Sequence, residues 1–320
     1  RGRFIAALVT KDALRMVPLT PVSRVKSMLR MLEFQLAKFR LRGDYVTTFQ
    51  KPLLEATQSH LRDLYEELLA PLRQWWKGEH LVVVPHGILH YLPFHALYDG
   101  NKYLIDECRV TYAPSATVYE LCHRKAARGG GGSLVLGVPD PQAPFILEEV
   151  QAVASNVPAP ELFVGERATA EVLREKGAHS SLIHIAAHGT FREDNPMFSR
   201  IRLGQSYLSV YDLYNLDLPA ELVTLSGCAT GVNVVAAGDE LLGLVRGLFS
   251  AGAQSLLLTL WDVNDKSTAE FMRLFYGRLR DSGDKAGAVR DAMLELRSKY
   301  PHPYYWAPFL LIGKAFQATQ

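Results

Sequence analysis

Cysteine is scarce in this chain. Its three residues, Cys108, Cys122 and Cys228, are odd in number and form no Cys-x-x-Cys pair. That argues against a disulfide framework and favours a reducing compartment, so the expected location is the cytoplasm. Excess charge of either sign is also missing. Lys+Arg 35 against Asp+Glu 33 leaves a formal +2, too little to argue for nucleic acid or an anionic membrane as partner. No apolar run is long enough to span a bilayer, and the start carries no signal peptide. The GxSxG, P-loop and GxGxxG patterns are all absent, which argues against a serine α/β-hydrolase and against phosphate or dinucleotide binding. No repeat of fixed period is seen. The remainder is ordinary globular composition, 48% hydrophobic and 21% charged, in a chain able to bury one large core or two moderate ones. The chain opens at Arg1, inside a predicted strand. It is expected to have been cut from a longer protein with an N-terminal partner domain.

Two segments are expected on either side of a glycine run. The first, residues 1–128, begins with RFIAALVTKDALRMVPL, a hairpin turning near Lys11–Asp12. A helix over Ser23–Leu41 follows, with Val25, Leu29, Leu32 and Leu36 on its apolar stripe, and then one over Pro52–Trp76. LVVVP at 81–85 reads as a strand, and ILHYLPFHAL and YLIDECRVTYAP as further strands and a turn. GGGG at 129–132 is a flexible connector. From residue 133 to 320, apolar strands (SLVLGV, SLIHIAA, ELVTLS, SLLLTLW, FLLIG) alternate with helices. Thr169 is expected to cap one of these helices and Asp265 another. That alternation predicts an α/β fold with a mostly parallel sheet covered on both faces, whose ligands sit at the carboxyl ends of the strands.

Two of these strand ends carry chemistry. SSLIHIAAHGTF stops at His188, next to Gly189, and AELVTLSGCATG stops at Cys228, between Gly227 and Ala229. Taken singly, a buried cysteine is a small core hydrophobe and a strand histidine a satisfied core residue. Taken together, a thiol and an imidazole at strand tips with little bulk around them are what a cysteine nucleophile requires. The ring removes the thiol proton and later protonates the leaving amine. Backbone N–H groups of Gly189 and Cys228 are placed to stabilise an oxyanion, and Gly227 lets the chain turn sharply before the sulfur. No Asp or Asn is assigned to orient the ring. His86, His90 and His95 lie close in sequence, but on turn and strand their rings point to different faces, so no metal and no cofactor is expected. Adjacent Cys122 and His123 read as structural.

At these residues the chain resembles the CHAT domain family, the caspase-like branch that is also similar to separase. HIAAHG resembles the family's histidine motif and LSGCATG its cysteine motif. The stretch 238–272 after the cysteine and LVVVPHGILHYLPFHAL at 81–97 are similar to further family segments. The resemblance implies a caspase-like three-layer α/β/α sandwich, preceded by a divergent pseudo-protease-like half that lacks the dyad. It implies a cysteine endopeptidase with His188 as base, Cys228 as nucleophile, and Gly189 and Cys228 as oxyanion donors. The alternative is a catalytically silent caspase-like interaction module. The resemblance further implies control by an attached or separate helical-repeat sensor, and a protein substrate such as a gasdermin-like defence effector. In separase-like enzymes the strand ending at LWDVND borders the pocket for the residue before the cut. Asp262 and Asp265 would therefore place negative charge near that pocket and favour Arg or Lys; an apolar residue such as Leu or Met is the other reading, and both carboxylates have a local use as cap or backbone acceptor.

Overall fold

The structure, a computed structural model, describes residues 2–40, 43–124, 131–141, 143–190, 199–227, 239–261 and 264–316. Its strands are β1 (Arg3–Val9), β2 (Leu14–Pro21), β3 (His80–Val83), β4 (Arg109–Tyr112), β5 (Gly132–Gly137), β6 (Pro160–Val164), β7 (Ser180–Ala186), β8 (Gly189–Thr190), β9 (Arg200–Leu203), β10 (Ser206–Ser209), β11 (Leu222–Ser226), β12 (Ser255–Thr259) and β13 (Phe309–Gly313). The longer helices are α1 (Val22–Ala37), α2 (Gln50–Leu68), α3 (Ala116–Arg124), α4 (Ile146–Ala154), α5 (Ala170–Gly177), α6 (Asp239–Ser250), α7 (Asp265–Ser282) and α8 (Lys285–Lys299).

Eight strands form the central sheet in the order β3-β4-β13-β12-β11-β7-β5-β6. Every neighbouring pair is parallel except β12–β13. Strands β12, β11, β7, β5 and β6 therefore run one way, and β13 the other. The central strands are buried throughout, as apolar runs covered on two faces should be. Side-chain alternation assigns the faces. On β7, Ile183 lies against α5 at Gly177, while the next residue, His184, meets Glu149 of α4 and Tyr276 of α7. Helices on both faces make the expected three-layer sandwich.

Strands β3 and β4 of the first segment enter the same sheet as the later strands, beside β13. Several local expectations change. Gly132 is itself the first residue of β5, while Gly129 and Gly130 lie outside the described residues. ILHYLPFHAL does not form strands. It folds as 3-10 turns at Gly87–Tyr91 and Phe94–Ala96, because Gly87 adopts a left-handed φ of 55° and Pro93 has no N–H to give a ladder. The second long helix ends at Leu68, and Ala70–Trp75 is 3-10. Asn264, not Asp265, caps α7, through its side chain accepting from the Ser267 N–H at 3.1 Å. Thr169 caps α5 as expected.

Helices α1 and α2 pack on one another and reach the rim at which β13 begins. His302 ties them there. Its Nδ1 accepts the Tyr304 N–H at 3.1 Å, so the proton sits on Nε2, which faces Thr57 Oγ1 (3.0 Å) and Leu53 O (3.3 Å) of α2. Phe39 stacks on Tyr304 beside it. His95 is also buried, with Nδ1 against Tyr112 Oη at 2.9 Å and Nε2 against Ala307 O at 3.0 Å.

Under the sheet runs a second buried polar group. His184 Nε2 lies 3.0 Å from Glu149 Oε1, with the two side chains 2% and 1% exposed. Its Nδ1 meets Tyr276 Oη at 3.2 Å, and that hydroxyl meets Thr224 Oγ1 at 2.8 Å. The contact joins α4, α7, β7 and β11 in one knot.

Two expected outcomes follow from these buried groups. Burial holds His302 down at about 3 and His95 at about 4. The unfolded chain takes up these protons as pH falls below the ordinary histidine value and the native state does not. Stability is therefore full above that value and falls as pH drops towards 4, by roughly 1.4 kcal/mol per unit for each histidine. Urea midpoints measured across this range should show the slope, and His302→Gln should flatten it by one proton's worth. Separately, Glu149→Leu should cost about 3 kcal/mol or more by leaving His184 without its partner, while the double variant with His184→Leu should recover most of that loss.

Candidate active site

The site is built where β7 and β11 end together. They pair in parallel with Ala186 opposite Ser226, and the Ala187 N–H donates to Ser226 O at 3.1 Å. Gly227 then takes a φ of 75°, which an L side chain rarely adopts, and its Cα side faces the Ala187 backbone. Each strand thus leaves the sheet at the same level. On one side comes His188. On the other comes Cys228, which lies outside the described residues, as does Asp262.

His188 stands at the rim with its side chain 35% exposed. Its carbonyl accepts the Arg202 N–H at 2.9 Å, which seats the residue on the small β8–β9–β10 sheet. Gly189 faces Ile201 in that ladder. Because the neighbouring bond is made by His188 O and Arg202 N, Gly189 is in a non-hydrogen-bonded pair, so its N–H points away from β9.

A third group appears that the sequence reading did not assign. Asp140, in the loop after β5, brings Oδ2 to 3.2 Å from His188 Nε2, at ion-pair distance but off the line of a hydrogen bond. Its side chain is 10% exposed. The Ala143 N–H donates to Oδ1 at 3.2 Å, and Arg202 Nη1 lies 4.0 Å from Oδ2. A short turn therefore holds the carboxylate still, and the ring nitrogen left for a thiol is Nδ1. One signal for Asp140 was present in the sequence: it follows SLVLGVP, so it sits at the carboxyl end of a parallel strand, on the rim shared with His188. The order that makes β5 the neighbour of β7 was not visible there.

Asp265 is the first residue of α7, half-buried behind His188. The Phe145 N–H donates to its Oδ2 at 2.6 Å. Burial raises its carboxyl above the usual range; that bond and His188 pull it back, while Glu149 and Asp140 add to the rise. Its carboxylate is thus committed to the backbone before α4. Cys108 and Cys122 are buried away from the rim, and burial pushes the Cys108 thiol up to about 12. His123 Nδ1 donates to Tyr119 O at 2.8 Å, within α3.

The arrangement is similar to known proteins in fold. The Saccharomyces cerevisiae separase–securin complex matches with a TM-score of 0.52 at 15% identity, over 88% of this chain and 20% of that one. The Arg-specific cysteine proteinase gingipain R matches at 0.55 and 11% identity, over 83% and 68%. These are caspase-like folds. In sequence, tetratricopeptide repeat protein 28 is 25% identical in Homo sapiens and 27% in Mus musculus, in each case over 79% of this chain. The chain spans only 13% of the length of those relatives. The CHAT domain family model matches residues 58–314, and with the sheet and rim just described, this chain belongs to the CHAT domain family.

Proposed function

We propose that this chain is a cysteine endopeptidase acting through Cys228 and His188. The observation that carries the reading is the half-exposed His188 ring, backed by Asp140 at 3.2 Å, one strand away from the chain that enters Cys228. Asp140 is a positioning residue. It holds Nε2, favours the proton there, and leaves Nδ1 as the base for the thiol. Proton transfer from the thiol to Nδ1 gives thiolate and imidazolium. The thiolate attacks a peptide carbonyl carbon and the oxygen becomes an oxyanion, which the outward N–H of Gly189 and that of Cys228 stabilise. The imidazolium then protonates the leaving amine as the C–N bond breaks, leaving a thioester. Water, deprotonated by the same ring, hydrolyses the thioester and restores the thiol.

The substrate is a protein, and a defence effector such as a gasdermin-like protein is one target class. The name of the relatives points to helical repeats as the controlling partner. The outer face of the β1–β2 hairpin, where Ile5, Val9, Leu14 and Met16 are exposed, is an apolar surface such a partner would cover. The proposed working location is the cytoplasm, the reducing compartment that the scarce, unpaired cysteines favour. No described helix is long and apolar enough to cross a membrane.

A thiol-reactive activity-based probe tests the reading. Cys108 and Cys122 are buried and stay silent in the native protein, so labelling reports Cys228. Wild type should label stoichiometrically at neutral pH, and Cys228→Ala should not label. His188→Ala should slow labelling by about 10²–10⁴-fold. Asp140→Asn should slow it about tenfold and shift its pH dependence, which a purely structural loss would not do. Equal labelling with and without His188 would leave a caspase-like scaffold without catalysis.

A further inference from the structure

The rim carries a second feature beyond the dyad. β12 is the strand next to β11 on the side away from β7, so its carboxyl end lies about 5 Å from the chain entering Cys228 and about 10 Å from the end of the His188 strand. There Leu260 and Trp261 meet helix α1 across a cleft. Its floor is apolar, formed by Leu29, Leu32 and Leu36 with Leu260 and Trp261, all buried. Glu33 stands in its wall. Tyr91 borders the same opening.

Glu33 is unusual for its place. Neither hydrogen bond nor ion pair reaches its carboxylate from any described residue; Arg30, one turn earlier, acts on it only through space. Burial pushes its carboxyl up to about 7. A helix seam that served packing alone would be better filled by leucine or methionine, since desolvating a lone carboxylate costs free energy. A cation brought into the cleft removes that cost. An apolar floor with an acid at one end matches a side chain that is apolar along its stem and charged at its tip.

We propose that this cleft is a substrate subsite that receives a lysine or arginine side chain of a polypeptide lying along the carboxyl rim, its methylenes on Leu29, Leu36 and Trp261 and its charge on Glu33. The inference rests on the reading of that rim as a polypeptide-binding edge. It assigns the basic preference to Glu33 of α1, a residue far from the motifs in the chain, whereas Asp265 is already held by the Phe145 N–H.

Binding tests the subsite without turnover. Fluorescein-labelled octapeptides, with one lysine walked through an otherwise neutral sequence, are titrated by anisotropy against the Cys228→Ala chain. Each is compared with its norleucine counterpart, which keeps the stem and removes the charge. Lysine should bind about tenfold tighter than norleucine at one position of the octapeptide. Glu33→Gln should bring the lysine peptide to the norleucine level, and Glu33→Lys should reverse the preference in favour of a glutamate peptide. Equal binding of the lysine and norleucine peptides at every position overturns the subsite. So does a lysine preference that survives Glu33→Gln, or absence of binding altogether. A Glu33-dependent preference without thiol labelling of the wild type would keep the subsite and remove the peptidase reading.

Discussion

The parallel pairing of β7 with β11 is the constraint on which the rest of the site depends. With Ala186 opposite Ser226, the pairing reaches the end of both strands at one level, and the Ala187 N–H to Ser226 O bond is the last that joins them among the described residues. Beyond it the chains part, one into His188 and one through the left-handed Gly227 towards Cys228. A slip of one residue would turn His184 from Glu149 towards the opposite helix layer, because side chains alternate across a strand. The buried contact of His184 with Glu149 and Tyr276 therefore guards the same register that sets the rim. Core and site are specified by one pairing.

The sheet has a seam at the antiparallel pair β12–β13. On one side lie the five strands whose carboxyl ends form the rim. On the other, β13 runs in reverse, so residues before it, such as His302 and Tyr304, come to the same rim from the opposite direction. This is why α1 and α2, from the start of the chain, can be anchored by His302 beside the end of β12. The first segment thereby helps to wall the rim.

Legibility in the sequence followed the range of the interaction. The strands SLIHIAA, ELVTLS and SLLLTLW, the β1–β2 hairpin, and the cap at Thr169 were readable because each depends on its own residues and near neighbours. ILHYLPFHAL is not legible as turns because its apolar residues resemble a strand, while Gly87, Pro93 and the bonds of the His95 ring bend it into 3-10 turns. Strand β6 and the small sheet after His188 escaped because PELFV has weak alternation and β8 is two residues long. The cap of α7 falls at Asn264 and not at the expected Asp265, since both are competent and only backbone geometry chooses between them.

What the sequence by itself determined is the chemistry on offer: a thiol and an imidazole, each closing an apolar strand, with small residues beside them. Tertiary structure decided what surrounds them. Asp140 reaches His188 because β5 lies next to β7, and Glu33 overlooks the rim because β13 reverses direction and carries α1 there. Both placements join residues far apart in the chain, and they are set by strand order and crossover direction, which no local pattern of side chains encodes.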